Sequence, residues 1–206
     1  MLVREWRDIM EVKIIKCDIN WKEIKNLCRT TMGKGDTDSE PSDKWKLDLL
    51  ISEHSPIRHS QITVEITDIE YCYAMHLVRH SVGVTPYVQT SRSDRTGVPR
   101  SERRQTDLVN MKLDLNIQSL INISKKRLCH QASDETRLVW ERVIEELYKV
   151  EPLVAYVCVP ECFKSGGCTE MKSCGLYDGL TKNATMEEQK KLVKRYKYYN
   201  RKFGRE

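Results

Sequence analysis

Nowhere in its 206 residues does the chain hold a run of eighteen apolar residues, so a membrane-crossing helix is not expected. The opening stretch, MLVREWRDIMEVKII, lacks the apolar core and small-residue cleavage site of a secretory leader, and a cytoplasmic protein is the expectation. There is no G-x-G-x-x-G, no phosphate loop of the Walker type, no H-E-x-x-H and no G-x-S-x-G. Ordinary Rossmann, kinase-like and hydrolase readings therefore lose their support. Internal repeats are missing, and so are the paired C-x2-C knuckles that make a strong zinc signal.

What is present is mildly basic. The net charge is +5 at pH 7, which suits anionic ligands or nucleic acid and equally suits a lysine-rich solvated surface. The length suits one large domain, or one domain with an appendage. Residues 1–180 are read as the domain, and 181–206 as a charged C-terminal tail or helix. Its Lys/Arg residues interleave with Tyr196, Tyr198, Tyr199 and Phe203. That pattern can touch RNA or DNA, but a solvated helix is favoured over it. Of eight cysteines, Cys158, Cys162, Cys168 and Cys174 cluster late, with spacing C-x3-C-x5-C-x5-C. This is a weak zinc signal, and reduced structural thiols are preferred.

Periodicity gives a coarse layout. Glu11–Cys17 reads as a strand, with Asp18 as the cap of a helix from Asn20 to about Thr31. Ser42 caps a helix over Asp43–Ser52. Ser60–Thr67 alternates Ile62, Val64 and Ile66 against Gln61, Thr63 and Glu65, as a half-buried strand does. Ile69–Val78 reads as a helix, Ser81–Pro99 as a loop or short irregular strand, and Leu108–Cys129 and Ser133–Val150 as two long helices.

The densest chemistry lies between Glu53 and Arg95, which holds four of the five histidines. Glu53-His54-Ser55-Pro56-Ile57-Arg58-His59 precedes the alternating strand. His76-x-x-Arg79-His80-Ser81 follows it, and then Gln89-Thr90-Ser91-Arg92. Helical spacing puts His76 and Arg79 on one face, and an arginine there forks onto phosphate or pyrimidine oxygens. Asn116, Gln118 and Asn122 put amides on an otherwise apolar stretch that leads to Arg127. Buried amides need partners, either another helix or a ligand edge.

In order and spacing these pieces resemble the flavin-dependent thymidylate synthases. That family carries E-H-x-x-F-E-H, a strand, a helix ending in Q-x-x-R-H-R with Ser-x-Arg soon after, and a later N-x-R-S-L-x-N-x4-R-x4-A. The last is matched without a gap by Asn116, Ser119, Leu120, Asn122, Arg127 and Ala132. The resemblance covers residues 11 to about 160. It implies an α/β (α+β) fold with a mixed central sheet flanked by long helices, and a homotetramer.

The resemblance also implies FAD-dependent methylation of dUMP at C5 to give dTMP. NADPH would be the reductant and methylenetetrahydrofolate the one-carbon donor. It places Ser55, Arg79, His80, Ser81, Asn116, Gln118 and Asn122 at the flavin. His76, Arg79, Thr90, Ser91, Arg92 and Arg127 would surround the nucleotide, with Arg127, Arg92 and Thr90 nearest the chemistry and Arg103 or Arg104 toward its phosphate. Departures from the pattern fall at Arg58, His76, Ser81, Thr90 and Gln118. They motivate two alternatives: a flavoenzyme modifying another pyrimidine nucleotide, for instance by hydroxymethylation, or a non-catalytic nucleotide- or nucleic-acid-binding descendant.

Overall fold

A computed structural model describes residues 7–205. Its centre is a four-stranded sheet built from β1 (Glu11–Asp18), β2 (Gln61–Glu70), β3 (Val84–Val88) and β4 (Leu108–Leu115), in the order β1-β2-β4-β3. The α+β class expected from the sequence is what the chain adopts. The sheet, expected to be mixed, is antiparallel at each of its three pairings.

β2 alternates as expected and buries Ile62, Val64 and Ile66. It runs three residues past Thr67, through a register shift between Ile66 and Ile69 at which Asp68 takes a left-handed φ of 55°. Such a bulge bends a strand. The side-chain amide oxygen of Asn110 on β4 accepts from the freed Asp68 N–H at 3.1 Å. Ile69 and Glu70 thus belong to the strand, and helix α3 begins only at Tyr71 and ends at Val78.

The helix expected over Leu108–Cys129 divides in two. Val109, Met111, Leu113 and Leu115 are buried while Leu108, Asn110 and Lys112 are exposed, so this half has period two. It is held between β2 and β3. The apolar positions 109, 113, 117, 120 and 121 also fit a helix, and tertiary pairing overrides that local preference. Asn116 then breaks the strand and caps α4 (Ile117–Arg127), its side chain accepting from the Ser119 N–H at 2.9 Å.

The earlier helices keep nearly their expected limits. α1 is Trp21–Thr30, capped by Asn20 rather than Asp18, because Asp18 is still paired in β1. α2 is Asp43–Ser52, capped by Ser42. α5 (Asp134–Val150) is capped by Ser133 and packs along β1. It buries Trp140, whose indole N–H donates to Ser124 at 2.9 Å.

After α5 come α6 (Pro152–Val157), α7 (Glu161–Ser165), α8 (Leu176–Thr181), α9 (Met186–Lys190) and α10 (Leu192–Arg201). The favoured reading of the tail as a solvated helix is overturned here. Tyr196 and Tyr199 are 2% and 1% exposed and join the same core as Trp140 and Phe163. Two of the four aromatic residues set aside for stacking on bases are therefore enclosed by protein. Among the described residues no helix is long and apolar enough to cross a membrane.

Candidate active site

The sheet places two helix ends side by side. α3 leaves β2 and delivers His76, Arg79 and His80 at its C-terminus. α4 leaves β4 through the Asn116 cap and delivers Gln118, Asn122, Lys125 and Arg127. The ends are tied by Arg127, whose Nε donates to His80 Nε2 at 2.8 Å and whose Nη2 donates to the His76 carbonyl at 2.7 Å.

These bonds set protonation. His80 can accept only if Nε2 is bare, so its proton sits on Nδ1. Burial first, then the charges of Arg127 and Arg79, push its pKa down to about 4. His76 is also shifted down, by burial and the same two arginines. Its Nδ1 lies 2.8 Å from Thr136 Oγ1, which itself accepts from Ser133 Oγ at 2.8 Å. This contact occupies His76 Nδ1 and leaves Nε2 as the ring nitrogen without a protein partner among the described residues. Arg127 has its own pKa lowered by burial and by Arg79. Among the described residues neither Arg79 nor Arg127 forms an ion pair with a carboxylate. Two guanidiniums within each other's field, with no paired carboxylate among the described residues, have the chemistry to hold an anion.

His80 has a measurable consequence. Its folded pKa of about 4 lies below the ordinary 6.5. Its contribution to stability is complete above 6.5 and is lost as pH falls from 6.5 to about 4, because only the unfolded chain takes up the proton in that window. An NMR titration is expected to show His80 neutral until about pH 4. In Arg127→Ala the midpoint should move back toward 6.5, and an unmoved midpoint would remove Arg127 as a cause.

A second group surrounds Glu53, which ends α2 in a left-handed conformation (φ 52°). Its carboxylate accepts from Gln118 Nε2 at 2.7 Å and from Lys125 Nζ at 2.9 Å, and lies 3.0 Å from Lys164 Nζ. Burial acts to raise the Glu53 pKa, but the hydrogen bonds from Lys125, Lys164 and Gln118 outweigh it and hold the group below the usual carboxylate range. Gln118 also donates to Asn122 Oδ1 at 3.2 Å. The amides of α4 thus have intramolecular partners, and the cluster keeps one more positive charge than negative. Asn116 and Ser119 lie against Gly83, where an added Cβ would come within 2.7 Å of the Asn116 amide. Gly83 takes φ +69°, and only glycine fits both demands.

A third group occupies the loop after β3. Ser91 lines an open cavity of about 200 Å³ with Arg100, Arg103, Arg104 and Tyr71. Arg103 Nε is buried there without a hydrogen-bond partner. Thr90 Oγ1 accepts from the Arg92 N–H at 3.2 Å, and Arg92 forks onto Asp94 at 3.0 and 2.8 Å. Ser55 opens a short 3-10 turn, Ser55–Arg58, and Ser81 lies in the turn before β3; both are exposed.

Of the residues singled out in the sequence, then, His76, Arg79, His80 and Arg127 form one cluster and Gln118 and Asn122 another. Thr90, Ser91 and Arg92 stay on the loop. Lys125, Lys164 and Thr136 were missed. Lys125 follows Gln118 by seven residues, two helical turns along the same face, and was findable. Lys164 is 111 residues from Glu53 in sequence and carries no local signal. The cysteine grouping also changes. Cys158 is wholly buried beside Ser124, and Cys129 takes its place beside Cys162, Cys168 and Cys174.

Solved structures with a similar fold include the flavin-dependent thymidylate synthase from Helicobacter pylori, complexed with FAD and dUMP. One such structure has a TM-score of 0.60 and 14% identity, covering 72% of this chain and 99% of that one. The chain has the flavin-dependent thymidylate synthase fold. A second Helicobacter pylori structure with FAD and dUMP gives 0.55 at 13% identity, over 70% of this chain and 99% of the other. The UMP/dUMP methylase PolB from Streptomyces cacaoi, bound with 5-Br dUMP, gives 0.57 at 13% identity, over 72% of this chain and 94% of its own. No protein-family model matches the chain, and no curated protein matches it by sequence.

Proposed function

We propose that the chain is an FAD-dependent methyltransferase that converts dUMP to dTMP in the cytoplasm, with methylenetetrahydrofolate as carbon donor and NADPH as reductant. The observation that carries this reading is the pair of guanidiniums, Arg79 and Arg127, held without a carboxylate at the junction of α3 and α4. Its support is the fold shared with enzymes solved with FAD and dUMP. The catalytic unit in this reading is residues 1–180, with 181–206 as a helical appendage packed on it. Assembly is as a homotetramer, in which the exposed Arg92 loop meets another subunit.

The donor set suits the group. Uncompensated guanidiniums and the net-positive cluster at Glu53 match the pyrophosphate of FAD and the phosphate of a nucleotide. Ser55, Arg79, His80, Ser81, Asn116, Gln118 and Asn122 would hold the flavin. His76, Arg79, Thr90, Ser91, Arg92 and Arg127 would hold the nucleotide, with Arg103 toward its phosphate. FAD supplies hydride chemistry that no side chain possesses.

The side chains have defined tasks. C5 of a neutral uracil is a weak nucleophile, and negative charge on the ring oxygens must be stabilised for it to react. Arg127 and Arg92 do so electrostatically. Binding there relieves the mutual repulsion of Arg127 and Arg79. His76, its pKa lowered by burial and by the two arginines, would turn Nε2 toward the nucleotide. Thr90 has no adjacent base and only positions. Cys72, one turn before His76, is a poor candidate to attack C6. Burial and Glu70 raise its thiol pKa and keep it protonated.

A visible spectrum after adding FAD and desalting, with and without dUMP, tests the reading. Retained flavin bands that shift when dUMP is added are expected. Absence of flavin under both conditions would replace this reading with a non-catalytic one, and Gln118, engaged by Glu53 rather than free, would be the first residue to blame.

A further inference from the structure

We propose that Cys129, Cys162, Cys168 and Cys174 form a four-thiolate site for a zinc-class divalent cation, which clasps the end of α4 to the loop between α7 and α8. All four thiols are free and line one small cavity, although they come from three separate parts of the chain. Cys129 lies just past α4, Cys162 in α7, and Cys168 and Cys174 in the connecting loop.

The backbone already turns this loop toward α7. The N–H groups of Gly166 and Gly167 both donate to the Cys162 carbonyl, at 2.9 and 3.0 Å, and Gly166 takes φ +83°. Gln131 Nε2 then holds the Lys172 carbonyl at 3.0 Å, tying the loop to the turn that carries Cys129. A second observation points to an occupant. Tyr177 lines the same cavity, is 5% exposed, and its buried hydroxyl has no hydrogen-bond partner. A metal-bound thiolate accepts such a hydrogen bond, as the groups outside a metal's ligand set commonly supply.

The alternative uses of these thiols fit less well. Cys168 and Cys174 are exposed, so they do not fill the core, unlike Cys158. Soft thiolates favour zinc over magnesium or calcium. Binding exchanges four thiol protons for the metal. Among the described residues no three His, Cys, Asp or Glu side chains already stand where they would hold a metal ion. Binding therefore draws the loop over residues 166–175 inward, and that loop has no regular secondary structure to resist it.

The test is a cobalt(II) titration of the reduced, metal-free full-length chain, with zinc measured in the protein as purified. About one zinc per chain is expected, along with thiolate-to-cobalt charge transfer and the ligand-field bands of a tetrahedral site. Cys129→Ser and Cys174→Ser should each weaken cobalt binding at least roughly tenfold, while Cys158→Ser should leave it unchanged. Wild-type protein with no cobalt bands would overturn the proposal without recourse to any variant. Loss of the bands in Cys158→Ser with retention in Cys129→Ser would also overturn it, as would a non-reduced mass four hydrogens low.

Discussion

Arg127→Ala is expected to weaken dUMP binding by about 2–4 kcal/mol, roughly 30- to 700-fold, with the flavin spectrum no longer responding to nucleotide. Arg127 is half-buried, and its head is aligned by His80 Nε2 and the His76 carbonyl. Alignment of this kind is what lets a guanidinium fork onto two oxygens. Arg127→Lys keeps the charge without the fork and should recover only part of the loss. Because the same bonds tie α3 to α4, a thermal melt must accompany the titration. A variant that melts lower yet binds dUMP as the parent does would make Arg127 a structural tie and end its assignment to the nucleotide.

Arg195→Ala is expected to be the most destabilising single change in the C-terminal helices, at about 3 kcal/mol or more, or roughly 6–12 °C in melting temperature. The Arg195 side chain is 9% exposed as a residue, and it donates to three backbone carbonyls: Phe163 at 2.9 Å, Lys164 at 2.7 Å and Gln189 at 2.6 Å. Truncation leaves those carbonyls short of a partner and opens a void beside Tyr196. Lys164, whose backbone Arg195 holds, also carries one of the ammonium groups on Glu53. Loosened helices should therefore reach the candidate site, and flavin retention should fall along with the melt. A melt within 1 °C of the parent, a change of roughly 0.5 kcal/mol or less, would return the C-terminal segment to the solvated helix expected from its composition.

That misreading has a physical cause. Residues 185–206 are rich in Lys and Arg, and composition alone predicts a solvated surface. Tyr196, Tyr199 and Asn200 nevertheless fall on one face of α10, and Phe163 and Tyr177 cover that face. The covering residues lie some 20 to 40 positions away in sequence, beyond any periodicity. The Leu108–Cys129 helix failed similarly. Its apolar spacing is compatible with periods of both 2 and 3.6, and only pairing with β2 and β3 chose between them. Asn116, a strong N-cap residue at the break, was the local signal that could have divided it.

Where a feature is encoded within a few residues, the sequence alone was sufficient: the Ser42 cap, the alternation of β2, the span of α5 and the Asn116–Asn122–Arg127 spacing that carries the family resemblance. Tertiary structure alone decided the rest. It joined Arg127 to His80, Glu53 to Lys125 and Lys164, and Cys129 to the late cysteines in place of Cys158. Each of these contacts forms between segments brought together by the sheet. Their strength depends on burial and on neighbouring charge, quantities that a position in sequence does not possess.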